Sequence, residues 1–259
     1  MTQLATRRDP VSIEQVRELE LEEARTLQRA MLPAEPLLVP PVEVVSQFRP
    51  VLGVGGDFLD YFQLSDDTLG LYLGDVVGKG LPAAFYAALA VGTLRGINKT
   101  GALPSDVLEL FNQRLRMRTM PKRYCAVQYA VYDPTTRVLR YANAGLPGPL
   151  HISPRGCREL QSGGLPSGLF DDARYDLSSV PLGPGESILF LTDGLPDALN
   201  AHNEDFGMER LIDVCAQNQG KSAGMLLGRL FAAVDGFTGG HPQQDDMTAL
   251  MIRLSAHVA

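Results

Sequence analysis

The sequence has few of the residues that form disulfide frameworks, zinc sites or nucleic-acid surfaces. Its three cysteines, Cys125, Cys157 and Cys215, are far apart and lack CxxC spacing, and their odd number argues against a disulfide framework. The formal net charge is −7, and no long basic run offsets it. Because nucleic-acid affinity comes from clustered Lys and Arg, we expect no nucleic-acid partner.

Long apolar runs are lacking as well. No stretch approaches the ~20 residues of a membrane span, and residues 1–9 lack the apolar core of a signal peptide. We therefore expect a soluble, cytoplasmic protein with reduced thiols and no membrane contact. With 45% hydrophobic and 20% charged residues, the 259-residue chain has the composition of a globular protein, and no compositional break divides it.

A helix is predicted near the N-terminus, over residues 13–31. Ser12 and Gln15 form a capping-box signature, no Gly or Pro interrupts the segment, and Pro33 ends it. Its apolar stripe is incomplete and drifts from a strict heptad, so a helix packed on its own domain and a dimerising helix are equally compatible with it. We divide the chain into a linker or regulatory helix, residues 1–35, and a main domain, residues 36–259.

The main domain has the pattern of an α+β fold. After a Pro-rich turn at residues 33–41, short alternating or apolar runs predict strands, and longer runs between them predict helices. The strands are expected at residues 42–48, 69–76, 124–133, 137–144, 187–194 and 247–254, and the helices at residues 81–97, 105–118, 208–216 and 222–234. Because the two kinds of element do not alternate regularly, we predict layered, mostly antiparallel sheets.

Four aspartates lie next to apolar strands, beside glycine or a turn. They are Asp57 in GGDFLD, Asp75 in LGDVVGKG, Asp193 in FLTDG and Asp245 in QQDDMT. Taken singly, such an aspartate predicts a surface turn. Together they indicate a metal site, because converging carboxylates repel one another without a cation, and Mg²⁺ and Mn²⁺ prefer oxygen ligands.

Two other motifs fit this sequence less well. A phosphate-binding loop, GxxxxGK[ST], needs Gly where Leu73 stands and Ser or Thr where Gly80 stands. The letters GGDF also occur in the signature of cyclic dinucleotide synthases, but here the next acidic residue is Asp60, beyond Phe58 and Leu59. The synthase remains only a remote alternative.

Several motifs, taken in order, resemble one known family. They are LQRAMLP at 27–33, GGDFLD at 55–60, GDVVGKGLPAA at 74–84, YANAG at 141–145, LTDG at 191–194 and DDMT at 245–248. This order resembles the SpoIIE/RsbU-like branch of the PPM (type 2C) metal-dependent protein serine/threonine phosphatases. The resemblance implies a PPM-type αββα sandwich, two antiparallel β-sheets flanked by helices, with two Mg²⁺ or Mn²⁺ ions at one edge.

The resemblance also implies roles for individual residues. Asp75 is expected to bridge both ions, with the Val76 carbonyl assisting at one of them. Asp193 and Asp245 are expected to bind the other ion, and Asp57 to hold the cluster directly or through water. Asp57 and Asp75 are thus the expected catalytic residues, and no further cofactor is implied.

Other positions are of lower weight. Asp246 is expected to support the ligands, and His241 is the one histidine worth testing as a leaving-group acid. Leu146 stands where relatives have His, and Asp197 where they have Glu, so substrate positioning or basal activity is expected to differ. A phosphocysteine mechanism needs Cys-x₅-Arg, which no cysteine here satisfies. Lone cations such as Lys79 and Arg49 receive no role.

The resemblance implies hydrolysis of a phosphoserine or phosphothreonine on a bacterial regulatory protein, such as an anti-sigma-factor antagonist, by a metal-bridging hydroxide. The alternative is a weak or inactive phosphatase-fold binding module in a signalling switch. A phosphorylated protein substrate, an activating regulatory protein and a homodimer through the N-terminal helix are the expected partners.

Overall fold

The computed structural model describes residues 12–65, 68–98, 101–117 and 120–255. These ranges leave out residues 1–9, Arg118, at which a helix was predicted to end, and His257. The helices are α1 (Ile13–Met31), α2 (Gly80–Ile97), α3 (Pro104–Arg116), α4 (Gly207–Gln217) and α5 (Ala223–Thr238).

The strands form two antiparallel sheets. In spatial order the first sheet contains β1 (Leu37–Val39), β2 (Val42–Arg49), β11 (Met247–Leu254), β10 (Ser187–Leu191), β7 (Leu150–Ser153) and β8 (Gly156–Glu159). The second sheet contains β3 (Phe58–Ser65), β4 (Thr68–Val76), β5 (Cys125–Asp133), β6 (Val138–Ala144) and β9 (Ser178–Pro181).

Alternation along the strands divides the interior into three apolar layers. In β10, Ile188 and Phe190 enter the layer between the sheets, whereas Leu189 and Leu191 pack under α4 and α5. In β4, Leu71 and its alternate neighbours face the first sheet, while Tyr72 and Val76 pack under α2 and α3. Because side chains alternate across a strand, each sheet is covered on both faces. The predicted αββα sandwich is confirmed.

Local sequence signals explain the helix boundaries. The Ser12 hydroxyl accepts from the Gln15 N–H at 3.1 Å, and the Gln15 amide oxygen accepts from the Ser12 N–H at 2.9 Å, which completes the predicted capping box. In α5, Ser222 caps the first turn, and Gly239 ends the helix in the left-handed conformation with φ +58°. The helix predictions therefore agree with the structure to within a few residues at each end.

The strand predictions need corrections. The Pro-rich segment was predicted as a turn but contains β1, and the strand predicted over residues 187–194 ends at Leu191. Strands β3, β7, β8 and β9 were not predicted. Polar residues break the apolar pattern of β3, and the other three strands have only four residues each, which leaves too short a run for a periodic signal.

Helix α2 bears on the expectation of no membrane contact. Among the described residues it is the one helix that is long and apolar enough to span a membrane, and half of it is buried in the protein. This weakens the expectation, although core helices of soluble proteins meet the same criterion. The buried side of α2 packs on α3 and the second sheet.

Asn112 of α3 hydrogen bonds to the segment between β8 and β9. Its side chain is fully buried, its oxygen accepts from the Gly168 N–H at 2.7 Å, and its nitrogen donates to the Phe170 carbonyl at 2.9 Å. We expect Asn112→Ala to lower the free energy of unfolding by about 2–3 kcal/mol, because buried polar groups lose their partners. Urea denaturation measures this, and Gln113→Ala, exposed on the same helix, is the control. Equal losses in both variants would contradict the assigned role.

Candidate active site

Asp57 lies buried where the ends of the two sheets meet. Its side chain is 1% exposed, and it directly precedes β3. The hydroxyls of Thr192 and Thr248 both donate to Asp57 Oδ2, at 2.9 and 2.5 Å. Burial raises the pKa of Asp57 well above its usual range, and the charges of Asp75 and Asp246 raise it further, against the two hydroxyl bonds.

Asp246 holds the loop that carries Asp57. Its Oδ1 accepts from the Val51 N–H at 2.8 Å, and its Oδ2 accepts from the Gly56 N–H at 2.7 Å. A Cβ on Gly56 would lie 2.7 Å from the Val76 carbonyl oxygen, so only glycine permits this approach. These contacts are consistent with the expectation that Asp246 supports the ligands.

Asp75 joins Asp57 in a pair of carboxyl groups. It lies near the end of β4, opposite Ala126 of β5, and its side chain is close enough to that of Asp57 for each to shift the pKa of the other. Burial and the charge of Asp193 raise the pKa of Asp75 to about 7. Two carboxyl groups in contact favour protonation, because their negative charges repel in a poorly solvated site.

Asp193 sits in the turn that follows β10. Its carbonyl accepts from the Asp197 N–H at 2.9 Å. Desolvation by surrounding atoms raises the pKa of Asp193, and the charges of Asp197 and Asp245 add to this effect. Asp197 thus adds negative charge beside Asp193.

Asp245 has a cation as its partner. The Lys79 ammonium donates to Asp245 Oδ2 at 2.7 Å and also to the Gln244 carbonyl. Both side chains of this ion pair are 43% exposed. Sequence analysis left Lys79 without a role, but the structure places it beside a predicted ligand.

The donor set fits a hard divalent cation. The charges of Asp193, Asp245 and Asp246 act on Asp75, and the Val76 carbonyl lies close to Gly56 of the loop that carries Asp57. As placed, no three His, Cys, Asp or Glu side chains among the described residues lie close enough to hold an ion. The ligand roles of Asp57, Asp75, Val76, Asp193 and Asp245 therefore remain predictions.

Two other residues considered in the sequence analysis, Arg49 and His241, make structural contacts. Arg49 pairs with Asp235 and lies over the Phe231 ring, on the outer face of the first sheet. His241 follows α5, and its backbone N–H donates to the Thr238 carbonyl; its role as an acid stays a prediction.

The departure at Leu146 is explained by packing. Leu146 is 6% exposed in the layer between the sheets, and its N–H donates to the Asn143 side-chain oxygen at 2.9 Å. An apolar residue is therefore suited to this position.

Sequence analysis missed three residues around the aspartates: Thr192, Thr248 and Gln28. The threonines belong to the LTDG and DDMT motifs, and pairing of Thr192 with Thr248 was not visible from sequence. Gln28 of α1 is 4% exposed; its amide nitrogen donates to the Gly55 carbonyl at 2.7 Å, and its oxygen accepts from the Gly55 N–H at 3.0 Å. The sequence signal for Gln28 was its place in the motif LQRAMLP.

Comparison with known proteins identifies the family. A model of the family described as Stage II sporulation protein E (SpoIIE) matches residues 65–255. The chain belongs to the SpoIIE family. It is 27% identical to protein IcfG of Synechocystis sp. over 92% of the chain, and 24% identical to phosphoserine phosphatase RsbU of Bacillus subtilis over 80% of it. The chain spans only 42% of IcfG and 63% of RsbU.

Solved structures of similar SpoIIE-family and PP2C domains share the fold. The SiaA-PP2C domain of Pseudomonas aeruginosa matches with a TM-score of 0.82 and 25% identity, covering 94% of this chain and 99% of that one. The PP2C domain of SpoIIE from Bacillus subtilis matches with a TM-score of 0.71 and 19% identity, covering 82% of this chain and 63% of that one.

The repulsion between buried carboxylates predicts that Asp75→Asn stabilises the fold. In chelator at pH 8, we expect the free energy of unfolding to rise by about 2 kcal/mol, because the variant removes a charge that burial disfavours. The folded pKa of about 7 lies above the unfolded value. Asp75 ionisation therefore costs stability as pH rises, and the difference between variant and parent should vanish near about pH 4.

Urea denaturation measures both effects. Asp245→Asn is the matched control, because that carboxylate is half-exposed and paired with Lys79, and its removal should give no stabilisation. An Asp75→Asn protein less stable than the parent at pH 8 would show that repulsion does not dominate this pair.

Proposed function

We propose that this protein is a metal-dependent protein serine/threonine phosphatase. The observation that carries the proposal is the buried Asp57–Asp75 pair, with Asp193 and Asp245 near enough to act on it or on each other electrostatically. Family membership and the names of RsbU and RsbP, both phosphoserine phosphatases, support the same activity.

The protein residues have distinct tasks in this proposal. Asp57, Asp75, Asp193, Asp245 and the Val76 carbonyl would hold Mg²⁺ or Mn²⁺. Such ions supply Lewis acidity, which activates water and neutralises the oxygens of a phosphoryl group.

Three residues that are not proposed ligands also contribute to the site: Thr192, Thr248 and Lys79. Thr192 and Thr248 fix the orientation of Asp57 through its Oδ2. Lys79, in contact with Asp245, adds a positive charge at the rim where a phosphorylated side chain would enter.

Metal removal and single carboxamide variants test this activity. We expect hydrolysis of an aryl phosphate to require Mn²⁺ or Mg²⁺ and to fall by orders of magnitude in Asp75→Asn and Asp193→Asn. Asp213→Asn, on the exposed face of α4, should retain the parental rate. Undiminished hydrolysis after thorough chelation would refute the proposal.

The substrate is proposed by analogy. RsbU and RsbP support a phosphoserine or phosphothreonine on a regulatory protein of a bacterial signalling switch, such as an anti-sigma-factor antagonist. We propose a cytoplasmic location for this reaction.

A binding module without turnover is the second candidate. The ion pair between Lys79 and Asp245 favours it, because it engages one of the predicted ligands. Binding of a phosphoprotein with no hydrolysis in saturating Mn²⁺ would support this alternative.

We propose that residues 1–35 are regulatory and that residues 36–259 form the phosphatase domain. Gln28 contacts the Gly55 backbone, and the Arg95 guanidinium donates to the Met31 carbonyl at 2.8 Å, so the end of α1 is bonded to the main domain. Earlier in α1, Ile13 and Leu19 are 73% and 67% exposed.

An apolar cavity between α1 and α2 supports a partner for this helix. Its volume is about 330 Å³, and Phe85 at its edge is 75% exposed. A second copy of the chain or an activating protein would cover these side chains.

Two changes test the regulatory role. Deleting residues 1–26 should alter self-association in light scattering or the basal rate, because it removes most of the exposed stripe. Gln28→Ala should change the basal rate with the fold intact, because the Gly55 amide and carbonyl lose their partner. Glu23→Ala, exposed on α1, is the control. If oligomeric state and rates match those of the parent, α1 is a passive extension.

A further inference from the structure

Two cysteines outside the carboxylate site lie on neighbouring elements. Cys157 is in β8, at the edge of the first sheet, and Cys215 is in α4, which packs on β7 and β8. Cys157 packs against the apolar layer that contains Cys215, and the two thiols are close enough to shift each other's pKa. Cys125 is buried in the second sheet, away from this pair.

The two thiols differ in access. Cys215 is fully buried in the layer under α4 and α5, whereas Cys157 is half-buried and lines a cavity of about 660 Å³. A reagent in this cavity therefore meets Cys157 before it meets Cys215. The charged or titratable side chains that line this cavity are His151, Arg155, Arg158 and Glu186.

The charges of the cavity suit an anionic reagent. Arg155 and Arg158 flank Cys157 in sequence, and both line the cavity. Glu186 is engaged by the His151 ring at 3.1 Å and by the Gly183 N–H at 2.9 Å. Two arginines beside the thiol favour approach of a carboxylate-bearing molecule.

The thiols also differ in acidity. The interaction with Cys215 lowers the pKa of Cys157, against the effect of burial. The same interaction, together with burial, raises the pKa of Cys215. Because the thiolate is the nucleophile, Cys157 is the thiol suited to react first.

We propose that Cys157 and Cys215 form a dithiol site that reacts with an anionic low-molecular-weight disulfide such as glutathione disulfide. The Cys157 thiolate attacks one sulfur, breaks the disulfide bond and expels one thiolate, which takes up a proton. The Cys215 sulfur then attacks Cys157, releases the second thiol and passes its own proton to it. The protein dithiol is oxidised to one disulfide, and the reagent is reduced to two thiols.

The product would join an edge strand to a helix. The bond closes a loop that contains β9, β10 and the Asp193 turn. Closing a long loop restricts the unfolded chain, so the oxidised protein should resist unfolding better than the reduced one.

The test uses the full chain, reduced and then incubated with glutathione disulfide. Remaining thiols are alkylated in denaturant, and peptides are identified by mass spectrometry. We expect a Cys157–Cys215 linkage within one molecule and an alkylated Cys125. Oxidised protein should unfold at higher urea concentration than reduced protein, and dithiothreitol should reverse both changes.

Single variants separate the two steps. Cys215→Ser should retain glutathione on Cys157, whereas Cys157→Ser should not react while folded. Cys125→Ser should give the same linkage as the parent. A parent protein that keeps three free thiols, retains glutathione on Cys157, or links only between molecules would overturn the proposal.

Discussion

The burial of Asp57 beside Asp75 is the constraint on which the candidate site depends. The two carboxyl groups lie close together at the joint edge of both sheets, where they repel each other when ionised. The packing of the sandwich keeps them close despite this repulsion. The opposing contributions are hydroxyl bonds from Thr192 and Thr248. Because a cation would relieve repulsion of this kind, binding of one at the proposed site would stabilise the bare fold.

The hydrogen bonds that hold this pair come from distant parts of the chain. Thr192 follows β10, Thr248 begins β11, and Asp246 binds amides of the loop before β3. Pairing of β10 with β11 sets the two threonines side by side. Correct registration of the first sheet is therefore required before Asp57 is oriented, which ties the geometry of the site to the core beneath it.

Local signals in the sequence predicted the helix and strand boundaries that depend on neighbouring residues. The bounds of α1 follow from Ser12, Gln15 and the proline after the helix, and the inner strands β2 and β11 follow from alternating or apolar runs. The family motifs identified the sandwich and the aspartates within it. Strand β3 was missed because Asp60 interrupts its apolar run, yet Asp60 is buried, with Arg95 and Tyr72 as partners.

The same local signals and motifs did not predict the contacts within the candidate site. The family resemblance gave Asp245 and Asp246 different roles, but nothing in the letters DDMT predicts that Asp245 pairs with Lys79 or that Asp246 accepts from the Gly56 N–H, 190 positions away in the chain. Likewise Leu146 departs from the family pattern, but its burial between the sheets makes an apolar side chain suitable. Such assignments depend on which segments the tertiary fold brings together, and an isolated motif does not encode that.

A short chain of contacts connects α1 with the carboxylates. Gln28 binds both backbone groups of Gly55, the next residue donates its N–H to Asp246, and Asp246 raises the pKa of Asp57 through its charge. A Cβ on Gly55 would collide with the Asp246 carboxylate, so the loop has little room to move independently. Displacement of α1 would therefore reach the carboxylates by moving Gly55 and Gly56, without altering either sheet. Among these bonds, the loop with Gly55 and Gly56 is the one element that both α1 and the carboxylates contact directly, so the helix would act on the site through it.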